Sequence, residues 1–111
     1  LGSNDLRNEG MVILGQASLF SEVKTLNLEC NGIMAEGAKA LAQSPYLTKV
    51  EHLNLVDNRI GDEGAMALAN SDNLSNLNYL HLGGNRIKSE EAKSALKNSS
   101  KLTKLEKLKI F

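Results

Sequence analysis

The sequence predicts one α/β solenoid: short parallel strands on a concave face, helices on the convex face, and a repeat of about 27–28 residues. Three observations carry this. Asn4, Asn31, Asn58 and Asn85 recur at one constant interval. Leu1, Leu28, Leu55 and Leu82 keep that interval, as do Leu6, Ile33, Ile60 and Ile87. Within each segment the apolar period changes from strand-like alternation to the i, i+3, i+4 spacing of one helical face.

Leu80, His81 and Leu82 show the alternation, and Ala65, Leu68 and Ala69 show the helical spacing. Carried through the repeats, this places strands near 26–28, 53–55, 80–82 and 108–110. Helices fall near 9–16, 36–43, 63–70 and 90–98. Asp62 and Ser89 stand where an N-cap oxygen is favoured, with Glu63 and Glu90 in the first turn. Ser44-Pro45 and Ser71-Asp72 are helix stops. Helices of two or so turns are marginal alone in water, so stacking must stabilise them. Helices need roughly 10 Å of lateral room and strands roughly 4.8 Å, so the stack curves with the sheet inside. Leu108 stands one position further from Leu80 than the earlier columns would put it, which places an inserted residue between Lys88 and Glu91.

Residues 1–111 then form a single domain, with units at about 20–46, 47–73 and 74–101 and partial units at 1–19 and 102–111. The repeated Asn4, Asn31, Asn58 and Asn85 stand where the chain leaves each strand. There an amide side chain can satisfy turn backbone that would otherwise be unpaired, from coil to coil.

The pattern LxxLxLxxNxI followed by a helix stands as VEHLNLVDNRIGDEGAMALA (50–69) and LNYLHLGGNRIKSEEAKSAL (77–96). It resembles the leucine-rich repeat. The period and the true helix resemble the ribonuclease-inhibitor-like subclass. GAKALA (37–42) and GAMALA (64–69) resemble bacterial GALA-type repeats, with EAKSAL (91–96) in the third copy. The resemblance implies a horseshoe whose concave strands and adjoining loops bind protein. Its GALA component implies a host-directed bacterial protein, acting in the cytoplasm or delivered to that of a host cell.

Composition bounds the chemistry. One cysteine excludes a disulfide framework, and no apolar run reaches the roughly 18 residues of a membrane span. The 13 basic and 13 acidic residues cancel only in sum: 8 of the basic ones fall in residues 86–111. Alternation sends one set of side chains outward from the strands: Thr25, His52, Tyr79 and Lys107; Asn27, Asn54, His81 and Lys109; Glu29 and Val56; and Asp57 at the edge beside Cys30. These are the candidate partner-binding residues, with Tyr79 as anchor. His52 and His81 lie one column apart on adjacent strands, two imidazoles where a metal site needs three or four ligands. Cys30 has no expected base or orienting partner. No motif for a nucleotide, a metal or a hydrolytic nucleophile occurs. We therefore expect no catalytic residues, no metal, no cofactor, no nucleic acid and no membrane partner. The expected function is a protein-interaction module, with a structural spacer in a longer solenoid as the alternative and an enzyme domain behind both.

The chain begins without Met and both ends break a repeat, so we expect a piece of a longer array. Its end coils should expose core around Leu6, Met11 and Leu14 at one end and Leu105, Leu108 and Ile110 at the other. Head-to-tail self-association would cover both.

Overall fold

The protein is described by a computed structural model covering residues 1–111. Strands β1 (Thr25–Asn27), β2 (His52–Asn54), β3 (Tyr79–His81) and β4 (Lys107–Lys109) form one parallel sheet in chain order. Helices α1 (Arg7–Gly15), α2 (Ala35–Ala42), α3 (Gly61–Ala69) and α4 (Glu90–Lys97) alternate with them. This is the expected solenoid. The strands start one residue earlier than alternation alone suggests, and α1 starts at Arg7 rather than Glu9. A short 3-10 turn (Ser18–Phe20), which the periodicity does not show, follows α1.

Leu26, Leu53, Leu80 and Leu108 stand in register across the sheet. The last pairing spans the inserted residue without breaking register. Such short strands give one inward side chain each, so burial depends on stacked columns rather than strand length. Leu28, Leu55 and Leu82 are fully buried, as are Leu41 and Leu68. Burying such a side chain stabilises by about 1.5–3 kcal/mol. The columns loosen only at the last coil, where Leu105 and Leu108 are half-buried beside a buried Ile110. Small residues let the helices approach: a Cβ on Gly64 would lie 3.2 Å from the Cα of Ala35 and the Cβ of Ala38.

Two ladders tie coil to coil. Asn58 Oδ1 accepts from the N–H groups of Asn31 (2.9 Å) and Ile33 (3.1 Å). Its Nδ2 donates to the carbonyls of Leu28 (3.0 Å) and Leu55 (2.9 Å). Asn31 receives the N–H groups of Asn4 and Leu6 in the same way, and Asn85 receives that of Ile60. Asn4 differs. It is exposed, and its side chain donates only to the Gly2 carbonyl, because no earlier coil stands beside it in the structure. The second ladder is serine. Ser44, Ser71 and Ser99 donate to the carbonyls of Gly15, Ala42 and Ala69, where the preceding helix ends. The same oxygens accept from the turn that follows, such as the N–H groups of Asn73 and Leu74 at Ser71.

The helix starts alternate. The residue before each ladder Asn (Ser3, Cys30, Asp57, Gly84) is always left-handed. After the Asn, the left-handed residue comes one position on in the second and fourth coils, at Gly32 and Arg86. It comes three positions on in the first and third, at Arg7 and Gly61, with Asp5 also left-handed in the first. Helices α1 and α3 accordingly enter from a helical Leu6 or Ile60, whereas α2 and α4 enter from an extended Met34 or Ser89.

Caps follow the same alternation. Ser89 caps its own helix at the Ala92 N–H, as expected. Asp62 does not cap α3. It lies inside the helix, and its Oδ1 accepts from the N–H groups of Lys88 (2.7 Å) and Ser89 (3.1 Å) in the next coil. Asn8 Oδ1 likewise accepts from the N–H groups of Met34, just ahead of α2, and of Gly37 in its first turn. The first coil corrects another expectation. Met11 is fully buried and Leu14 nearly so, because α1 packs on α2. The exposed apolar residues there are instead Leu1, Val12, Ile13 and Leu19.

Candidate functional site

The outward faces of the strands carry the candidate surface. Alternation about the buried Leu26, Leu53 and Leu80 leaves Thr25, Asn27, His52, Lys107 and Lys109 exposed and Asn54, Tyr79 and His81 half-exposed. Parallel pairing sets His52 beside Tyr79 and Asn54 beside His81. The Tyr79 ring stacks on His52 with centroids 5.4 Å apart and meets His81 edge-on at 6.2 Å. Lys109 Nζ stands 6.0 Å from the same ring, in the cation–π range. Tyr79 is therefore the hub of one aromatic and cationic cluster spanning β2 to β4. His52, Tyr79 and Lys107 also border a shallow cleft of about 460 Å³ with Asn78 and Glu106, two residues that alternation alone did not single out.

The second column has a backbone duty. The side-chain oxygens of Asn27 and Asn54 accept from the N–H groups of Glu29 and Val56, two residues on. His81 Nδ1 accepts from Gly83 N–H at 3.2 Å. The bond assigns His81 the neutral form with its proton on Nε2. Desolvation by burial, then the Lys109 charge, hold the imidazole below its ordinary pKa against a smaller opposite pull from Asp57. His81 thus presents an N–H donor, not a cation, at neutral pH.

Glu29 and Val56 are half-buried at the rim and are not part of the Tyr79 cluster. Asp57 lies at the edge, where Cys30 Sγ stands 3.9 Å from its Oδ2. The cleft around Cys30 holds no histidine. No three His, Cys, Asp or Glu side chains converge as a metal-ligand set. Two imidazoles flanking a tyrosine ring offer stacking area and hydrogen-bond donors and acceptors. No helix is long and apolar enough to cross a membrane.

The family described as Leucine Rich repeat matches residues 23–42, 46–69 and 73–93, more than half of the chain. Among solved structures, the chain is similar to leiomodin-1 actin-binding site 2 (ABS2), with a TM-score of 0.82 and 24% identity. That match covers 97% of this chain and 66% of the other, so the chain spans less than two thirds of its structural neighbour. Comparison with curated proteins gives no match.

Proposed function

The chain belongs to the leucine-rich repeat family, and from that premise we propose that it is a protein-interaction module that binds its partner through the concave face of the sheet. The observation that carries the reading is the Tyr79 cluster. A tyrosine between two imidazoles, with a lysine over its ring, combines apolar area with polar tips on a rigid, parallel-stranded base. Tyr79 is the anchor; His52, His81, Lys107 and Lys109 surround it. Thr25, Asn27, Asn54 and Val56 extend the surface toward the first coil, where Glu29 and Asp57 make it acidic. Leiomodin-1 places an actin-binding site on the same fold, which supports a binding role for the scaffold and makes actin a partner worth testing.

On the same footing, the repeat period with true helices supports the ribonuclease-inhibitor-like subclass, and the two GAxALA segments support the GALA type. A lone cysteine without a disulfide fits the reducing cytoplasm of the cell of origin or of a host. The units at 20–46, 47–73 and 74–101 follow the ladder spacing.

The test is affinity capture from source lysate with the wild-type chain and with Tyr79→Ala, followed by titration of the recovered partner against both and, separately, cosedimentation with filamentous actin. The expected result is a partner retained by wild type and weakened at least about tenfold by Tyr79→Ala, the loss of a central aromatic anchor. A partner held equally by both proteins moves the site off the concave face. Capture of nothing supports a spacer role instead.

A further inference from the structure

All three arginines of the chain, Arg7, Arg59 and Arg86, line one cleft of about 670 Å³ beyond the carboxyl ends of the strands, and none of the ten lysines does. Asp5, Asp57, Asn58 and Cys30 complete its polar wall. Arginine differs from lysine in presenting a flat fork that grips a carboxylate through two parallel N–H bonds. Arg59 and Arg86 are equivalent residues of successive coils, each directly after a ladder Asn. Both are exposed, and neither takes part in an ion pair; Arg7 alone is matched, to Asp5 at 2.9 Å.

The backbone adds a second, independent observation. Arg86 is left-handed at φ +61°, and Arg7 at φ +57°. At the position of Arg86 the second coil has Gly32 at φ +68° and the first coil Asp5 at φ +55°, and at the position of Arg7 the third coil has Gly61 at φ +67°. Glycine is the residue this conformation favours. For Arg86 no intramolecular ion pair offsets the strain, and unrelieved strain of this kind clusters at binding sites.

We infer that this cleft is a second docking surface, taking an acidic segment of a protein partner with one of its carboxylates bridging Arg59 and Arg86. A partner carboxylate is favoured over a nucleic acid because the cleft contains no aromatic ring for a base to stack on. The site is separate from the Tyr79 cluster, so its test and that of the concave face succeed or fail independently.

The experiment uses the full chain and fluorescence anisotropy of a fluorescein-labelled octaglutamate peptide at low salt. Binding should be saturable and weaken at least about tenfold in Arg59→Gln/Arg86→Gln, with a partial loss in Arg59→Lys/Arg86→Lys, which keeps charge but not the fork. Lys97→Gln/Lys104→Gln, which removes the same charge elsewhere, should bind as wild type. Arg86→Gly separates recognition from folding: it should bind more weakly while melting at a higher temperature. Equal binding by wild type and the double glutamine variant would overturn the inference, as would an equal loss in the lysine control. Tighter binding of an oligothymidylate than of octaglutamate would overturn the choice of partner. A lower melting temperature for Arg86→Gly would remove the strain argument.

Discussion

Asn58→Ala tests the ladder where it is most deeply built. The Asn58 side chain is the acceptor for two buried N–H groups, those of Asn31 at 2.9 Å and Ile33 at 3.1 Å. Truncation leaves both without a partner, in a place where the coils pack too closely for bulk water. Each orphaned buried group costs about 1–3 kcal/mol. On the carbonyl side Leu28 O also loses its donor, whereas Leu55 O still receives Asn85 Nδ2 at 2.7 Å. Over three groups the sum is a loss of about 3–9 kcal/mol from a domain whose whole stability is of order 5–15 kcal/mol. Urea unfolding followed by far-ultraviolet circular dichroism reads it directly: with m of about 1–3 kcal/mol/M, the midpoint falls by roughly 1 M or more, or the variant is unfolded without denaturant. Asn4→Ala is the matched control. Its side chain is exposed and donates only to Gly2 O, so it should cost less than about 1 kcal/mol. Equal midpoints for the two variants would refute the ladder as the source of coil-to-coil stability.

Leu53→Ala empties a fully packed position in the central leucine column and should cost about 2–5 kcal/mol in the same urea assay. Gly84→Ala should destabilise more than Gly61→Ala: both are left-handed, but a Cβ at Gly84 presses on the Asp57 carboxylate while one at Gly61 meets open space. For His81, the fold holds the pKa below its ordinary value, so the unfolded chain takes up the proton first. Its contribution is level above about pH 6.5 and becomes destabilising as pH falls below that; thermal melts between pH 7.5 and 5 should show a decline that His81→Gln flattens. Light scattering over a hundredfold concentration range should show reversible self-association, through Leu1, Ile13 and Leu19 at one end and Leu105, Leu108 and Phe111 at the other, and salt should weaken it where the acidic early coils meet the lysines of the last.

Most of the fold was legible because a solenoid writes its packing rule once per coil. The leucine columns, the Asn positions and the inserted residue before α4 could all be aligned within the chain itself. Features that do not repeat in every coil were harder to read. Asp62 has the chemistry of a cap, but the N–H groups it meets belong to residues 88 and 89, and a one-dimensional reading assigns a cap to its own helix. The first helix was expected to lie open because it begins the chain, yet its contact with α2 on one side is enough to bury Met11 and Leu14. The serine ladder had a visible signal, Ser44, Ser71 and Ser99 at near-repeat spacing; Ser44 and Ser71 read as helix stops, but none of the three reads as a hydrogen bond to Gly15, Ala42 or Ala69. The outward columns of the sheet were equally readable. The Arg cleft was less so: Arg59 and Arg86 share a column, but Arg7 belongs to another, the one that Met34 fills in the second coil, and only the folded loops bring the two columns to one cleft.

The alternating helix entries have a consequence for how such a chain can be rebuilt. Asn8 and Asp62 stand two coils apart, and each steadies the coil ahead of it; Ala35, midway between them, has no side-chain oxygen to do so. The modular unit is therefore a pair of coils, a donor of caps followed by a recipient. Splicing in or excising one coil would set two donors or two recipients side by side and leave helix-start N–H groups facing a neighbour that cannot serve them. Splicing in a pair would preserve the alternation, so arrays assembled from this sequence should tolerate changes of length in even steps better than in odd ones.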